Sequence, residues 1–233
     1  MNILRRVEQK YIITTEQHDA LIAALGERLV EDEYFYNDIY NLYLDTPNHD
    51  LIIQSIEKPL YKEKFRVRSY GLCENEDSKV YLEIKKKYNG TSNKCRIFMT
   101  LGEFWRYLEK RTKPQNASPV ILAEMNYDFD RYQLQPSMLI NYERYSYYLK
   151  ENKRIRITFD HNLKYRDNKL DLTNGDDMHH VIDKNSYIME IKSLDSIPIN
   201  LSRLLSKLKI YPQSFSKPKY AYIKSLERKK SHV

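Results

Sequence analysis

An α+β fold, an antiparallel β-barrel tunnel of about eight strands with helices packed outside, is the class this sequence predicts. Three observations predict it. Short runs alternate charged and apolar residues at the two-residue period of a strand: Lys64, Arg66 and Arg68 with Phe65 and Val67, then Glu83 and Lys85 with Leu82 and Ile84. The charged side of these runs is cation-rich and poor in Ser, Thr and Gln, unlike a plain solvated face. Several amphipathic segments with helical spacing carry apolar stripes, and the apolar outer face of a barrel would give those stripes something to cover.

The elements follow in order. Residues 5–13 predict a strand with Arg6, Glu8 and Lys10 on one face and Val7, Gln9 and Tyr11 on the other. Thr14 starts a helix with Gln17 as its capping-box partner and Leu21, Ile22 and Leu25 as its stripe, and Gly26 weakens its end. Residues 38–46 are a second strand, stopped by Pro47, and a short helix follows over about 48–57. The two central strands come next, joined by a polar turn, and residues 94–99 pair back after a tight connection through Gly90. Thr100 caps a helix with Glu103 in the capping-box position and Phe104, Tyr107 and Leu108 buried, with Trp105 packing. A loop at 113–118 leads to a helix opened by Ser118 and Pro119 and running to about 131.

Strands return at 138–149 and 154–160, with a further one at 163–169. Residues 169–184 are polar and loop-like, and the adjacent His179 and His180 there read as solvated. A strand at 187–194 puts Glu190 and Lys192 on one face and Met189 and Ile191 on the other. A helix at 198–210 uses Leu201, Leu204, Leu205 and Leu208, and a loop leads to a last helix at about 219–229. With no internal repeat or linker, the reading is one domain over residues 1–233.

Composition narrows the function. A net charge of +7 over 233 residues suits an acidic partner. Only 5 glycines occur and none forms a P-loop or Rossmann turn, so phosphate would be held by side-chain cations. The 2 cysteines, Cys73 and Cys95, make neither a metal-ligand pair nor a disulfide framework. The first residues lack an apolar signal core and no run approaches a membrane helix, so the expectation is a soluble, cytoplasmic protein.

If the strands curl into a barrel, the charged faces line its bore: Glu8, Lys10, Lys64, Arg66, Arg68, Glu83, Lys85, Arg154, Arg156, Glu190 and Lys192, with Arg6. Cations buried without partners cost several kcal/mol each. Such a bore would hold water and a long anion, for which a chain of phosphates is the natural candidate. Carboxylates beside phosphate are costly unless a divalent cation, Mg²⁺ or Mn²⁺, sits between. An exposed amphipathic sheet face is the plainer alternative, and the recurrence of the pattern in several strands weighs against it. Nucleic-acid binding is disfavoured, because the cations face a bore and not an open aromatic platform.

The segments RRVEQKYII, NLYLDTPN, EKFRVRSY, YLEIKKKYNGTSNKCR, NYERY, RIRITFD, IMEIK and SFSKPKY occur in this order. Together they resemble the polyphosphate-polymerase domain of the vacuolar transporter chaperone (VTC) family, a branch of the triphosphate tunnel metalloenzymes with the CYTH-like fold. The resemblance covers nearly the whole chain. It implies an enzyme that binds ATP with basic residues and a divalent metal and transfers the terminal phosphate onto inorganic polyphosphate. By motif position the phosphate ligands would be Lys10, Arg66, Arg68, Lys85, Lys94, Arg96, Arg144, Arg156 and Lys217, with Tyr142 and Ser216 as further contacts. Glu190 matches the metal-binding glutamate, assisted by Glu8 and Glu83, although for Glu83 an ion pair with a neighbouring cation is an equal alternative. Alternation adds Arg154 and Lys192 to the phosphate set. Arg66, Arg68, Lys85, Arg156 and Glu190 stand at the chemistry.

Two departures matter. Tunnel triphosphatases carry E-x-E-x-K on the first strand, where this chain has Arg6, Glu8 and Lys10; the polymerase branch shares that loss of a carboxylate. The usual S-K-Y near the end is interrupted by Pro218 and Lys219, so Lys217 or Lys219 is the match. A hydrolase of triphosphate or nucleotide and a non-catalytic polyphosphate-binding module remain the other readings. The resemblance leaves a separate membrane partner open.

Overall fold

The computed structural model describes residues 7–57, 59–89, 91–194 and 196–231. Arg6 and Gly90, which figure in the sequence reading, lie outside the described residues. The chain forms two compact units. The first takes in the chain up to Asp38, Tyr142–Leu163 and Ile182–Ser216; the second takes in Ile39–Asn141, Lys164–Val181 and the chain from Lys217 onward. Three long strands, β2 (Leu29–Asp45), β6 (Gln135–Leu149) and β7 (Asn152–Arg166), run through both.

In the first unit β1 (Val7–Thr14) and β9 (Ser186–Ser193) join these strands in the order β1-β9-β7-β6-β2. β1 and β9 pair antiparallel with Lys10 opposite Glu190 and Glu8 opposite Lys192, and β9 pairs antiparallel with β7. Tyr11, Ile13, Ile155, Ile157, Phe159, Met189 and Ile191 project from the other side of these strands into a core. α1 (Thr15–Leu25) and α5 (Ile199–Lys207) close that core with Leu21, Leu25, Leu201 and Leu205. Each such buried leucine contributes roughly 1.5–3 kcal/mol relative to exposure. α1 begins as expected: the Thr14 hydroxyl accepts from the Gln17 backbone N–H, and the Gln17 side chain accepts from the Thr14 N–H.

In the second unit β2 is followed by β3 (Tyr61–Tyr70), β4 (Lys79–Tyr88) and β5 (Thr91–Thr100), each pairing antiparallel with the one before. Their apolar face, with Phe65, Val67, Leu82, Ile84, Ile97 and Met99, is covered by α3 (Leu101–Lys110) and α4 (Pro119–Tyr132), which contribute Phe104, Tyr107, Met125 and Phe129. Thr100 and Glu103 form the expected capping box, and Ser118 and Pro119 open α4. α2 (Asp50–Ile56) starts where the Asp45 carboxylate accepts from the backbone N–H groups of Leu51 and Ile52.

On this apolar side of β4, opposite Glu63, stands Lys86. Its ammonium lies 2.8 Å from Asp128, 2.9 Å from Glu124 and 3.3 Å from Glu63. The hydroxyls of Tyr61 and Tyr132 donate to the same Glu63 carboxylate at 2.5 Å. A lysine on an apolar strand face is accommodated because α4 brings carboxylates to it.

Several boundaries differ from the sequence reading. β2 begins at Leu29, well before residue 38, because pairing along β6 carries a segment whose own pattern, rich in Glu, Asp and Tyr, lacks clean alternation. β7 is one strand and not two; Asn162 takes a positive φ of 52° within it and the strand continues. β5 extends back to Thr91. His179 and His180 are a two-residue strand, β8, opposite Tyr165 and Lys164. α6 (Lys217–Lys230) starts two residues early, since a proline is well placed in a first helical turn. No helix of the described residues is long and apolar enough to cross a membrane.

Candidate functional site

The charged strand faces gather one cluster of candidate residues in each unit. In the second unit the registers of β3, β4 and β5 arrange the charged face in cross-strand rows. Lys62 and Lys87 stand in one row, and Lys64, Lys85 and Lys94 in the next. Arg66, Glu83 and Arg96 form a third row, and Arg68, Tyr81 and Phe98 a fourth. Glu83 is almost fully buried and holds three cations: Arg66 Nε donates to Oε2 and Arg96 Nε to Oε1, each at 2.7 Å, and Lys94 Nζ lies 2.6 Å away. Burial raises the Glu83 pKa, but Arg66, Arg68 and Lys94 outweigh it and hold the carboxyl well below the usual range. Lys94 is pulled down by its own desolvation and by Arg96 and Arg66, against the pull of Glu83. Arg68 is buried and donates to Asn41 Oδ1 at 2.9 Å.

In the first unit the rows are Glu8, Lys192 and Arg156, then Lys10, Glu190 and Thr158. Lys192 Nζ is 2.6 Å from Glu190, and Lys10 Nζ is 3.6 Å from Glu8. Burial raises the Glu190 pKa, but Lys192, Lys10 and Arg144 bring it down to about 2. Arg156 pairs with Asp32 at 2.8 Å. Arg144 forks onto the fully buried Asp160 through Nε at 2.6 Å and a terminal nitrogen at 2.8 Å. Burial opposes the Arg144 charge, yet the Asp160 carboxylate raises its pKa well above the ordinary arginine value. Tyr142, buried, lies with its ring 5.3 Å from that guanidinium.

The candidate residues therefore divide. Glu8, Lys10, Tyr142, Arg144, Arg154, Arg156, Glu190, Lys192 and Ser216 belong to the first unit; Arg66, Arg68, Glu83, Lys85, Lys94, Arg96, Lys217 and Lys219 belong to the second. Arg154 is exposed near the start of β7. Ser216 is half-buried, and Lys217 and Lys219 sit in the first turn of α6. Sequence reasoning missed Asp32, which lies in the first half of β2, and passed over Asp160 as the partner of Arg144. It also left out the Tyr81 and Phe98 rings, because aromatic residues on a strand read as packing. The signal was available in the spacing, since Tyr81 precedes Glu83 by two and Phe98 follows Arg96 by two.

Among the described residues no group of three or more His, Cys, Asp or Glu could hold a metal ion by itself. Glu83 is surrounded by cations and is a poor ligand for another. Glu190 also faces cations, Lys192 and Lys10 among them, but it has further oxygens beside it: Glu8 is its diagonal neighbour on the same face, and Thr158, directly opposite, keeps a buried hydroxyl with no hydrogen-bond partner among the described residues. Two carboxylates and a hydroxyl are oxygen donors of the kind a hard divalent cation takes alongside substrate phosphates.

Fold and faces define an α+β protein with one mainly antiparallel sheet and cation-rich strand faces. The VTC domain model matches residues 5–226, and the chain belongs to that family. A solved structure from Bacillus halodurans, provisionally described as an adenylate cyclase, is 14% identical with a TM-score of 0.54, covering 91% of this chain and 94% of that one. It shows the fold. A similarly described protein from Vibrio parahaemolyticus is 13% identical, TM-score 0.47, covering 93% and 97%. The Mimivirus capping enzyme triphosphatase is 14% identical, TM-score 0.35, covering 87% and 88%. No curated protein matches the chain.

Proposed function

We infer that this chain is a metal-dependent polyphosphate polymerase, transferring the terminal phosphate of ATP onto inorganic polyphosphate. The observation that carries the reading is the row of Lys64, Lys85 and Lys94, flanked by Lys62 and Lys87 on one side and by Arg66 and Arg96 on the other. Like charges placed directly opposite destabilise a sheet. Five lysines in two successive rows make a face whose sign and spacing suit an extended anion of repeating charge. A phosphate chain supplies it, and family membership makes polyphosphate the first choice.

In the transfer, a terminal oxygen of the acceptor chain, already ionised, attacks the γ-phosphorus, and the bond to the β-bridging oxygen breaks to release ADP. No protein base is required. Catalysis is positioning and charge neutralisation. Arg66 and Arg68 present planar donor forks to phosphate oxygens, Lys85 and Arg156 add charge, and Lys10 and Lys192 balance the carboxylates of the first unit. Glu190, with Glu8 assisting, would hold Mn²⁺ or Mg²⁺, which when bound neutralises charge on the transferred group. Lys94, Arg96, Arg144, Arg154, Tyr142, Ser216 and either Lys217 or Lys219 complete the proposed phosphate contacts.

Incubation of the purified protein with ATP and Mn²⁺, with polymer resolved on a gel, tests this. The wild type should make polyphosphate. Arg66→Ala and Glu190→Ala, folded by circular dichroism, should not; undiminished polymer from either overturns the assignment.

A further inference from the structure

The charged face of the second unit is not uniform along its strands. At one end stand the lysine rows. At the other the rings of Tyr70, Tyr81 and Phe98 form a ladder across β3, β4 and β5, with centroids 5.8 Å apart for Tyr70 and Tyr81 and 5.7 Å for Tyr81 and Phe98. The Arg96 guanidinium lies over the Tyr81 ring at 4.5 Å. Burial raises the Tyr70 pKa, but Arg68 and Arg96 beside it turn the net shift downward. Tyr70 is 48% exposed, and Tyr81 and Phe98 are half-buried, so this end keeps ring surface within reach of a ligand.

We propose that this aromatic end of the face receives the nucleobase of the nucleotide substrate, with its phosphates running along β4 and β5 toward Lys85 and Lys94. The proposal rests on the phosphate-binding reading above and adds polarity and a source of specificity to it. Phosphate has no use for a ring face. A flat, polarisable base stacks on aromatic rings and guanidinium planes, whatever its sequence identity. Charge complementarity fixes the direction, because the row of Arg66, Glu83 and Arg96, net positive with its carboxylate held by both arginines, separates the rings from the lysines as a sugar and first phosphate would separate a base from a phosphate tail. Tyr81 and Lys85 are four residues apart on one strand, about 13 Å at the rise of a β-strand, a span suited to an extended nucleoside triphosphate. The same surface accepts an inorganic phosphate chain on its lysine rows without engaging the rings. Tyr81 and Phe98 would thus separate nucleotide donor from polymer acceptor.

The test is calorimetric titration of the full chain with ATP and with inorganic tripolyphosphate. Phe98→Leu, which keeps apolar bulk, and Tyr81→Ala should each weaken ATP on the order of tenfold to a hundredfold and leave tripolyphosphate within about twofold. Phe98→Trp should retain ATP affinity. Lys85→Ala should weaken both ligands. Equal loss of both ligands in the ring variants, or no change in ATP affinity, overturns the proposal while the phosphate reading stands. Failure of the wild type to bind either ligand overturns both. Thermal melts confirm that each variant is folded.

Discussion

Arg66 and Glu83 lie directly opposite each other on β3 and β4, and the Arg66 Nε donates to Glu83 Oε2 at 2.7 Å. That carboxylate also takes Arg96 and Lys94. One buried anion therefore sets the positions of three cations on the face proposed to bind phosphate. Its role is to orient them while leaving the face net positive.

Glu83→Gln separates this role from metal ligation. Removing the charge leaves three partly exposed cations under-compensated, and the loss of stability should be about 1–3 kcal/mol by urea denaturation. Tripolyphosphate should bind several-fold more tightly, because a negative charge beside the anion is gone. A metal ligand would behave oppositely: metal-stimulated binding would fall.

The same ion pairs predict an acid dependence. The Glu83 pKa is held below its ordinary 4.5, so its contribution is complete above that pH and is lost as the pH falls below it. Urea midpoints should fall as the pH drops from about 5 to about 2, and Glu83→Gln should remove part of that fall. An unchanged slope in the variant would assign the acid sensitivity elsewhere.

Lys86 belongs to the opposite face of the same strand. Lys86→Met leaves Glu63 and Asp128 buried without their cation and should cost about 3 kcal/mol in denaturant melts. Tripolyphosphate affinity should not move, since Lys86 does not share the charged face. A loss of affinity at unchanged fold would contradict the division of faces.

In the first unit Arg144→Ala strands Asp160, which is fully buried. The expected loss is about 3–5 kcal/mol, and the double variant with Asp160→Ala should lose clearly less than the sum of the singles. Additive losses would mean the fork contributes little.

Alternation alone makes the strand faces legible in the sequence. Arg66, Arg68, Glu83 and Lys85 share a face because a strand leaves no other choice, and Thr14 and Thr100 announce their helices through capping boxes. What escapes is set by neighbours distant in the chain. The first half of β2 is a strand because β6 pairs with it, and Asp32 there meets Arg156 across the sheet. Lys86 looks misplaced on an apolar face until α4 supplies Glu124 and Asp128. Asn162 reads as a break between strands, yet β7 absorbs its left-handed backbone. Cross-strand register, which aligns Tyr81 with Phe98 and Lys85 with Lys94, is invisible in one strand at a time.

The most direct test of the central claim follows the γ-phosphate of ATP. With Mn²⁺ present, the wild-type chain should place most of the released γ-phosphate in polymer that a gel separates from orthophosphate, and Arg66→Ala should lower that rate on the order of a hundredfold. Recovery of the γ-phosphate as free orthophosphate with no polymer would contradict the account and make this chain a hydrolase.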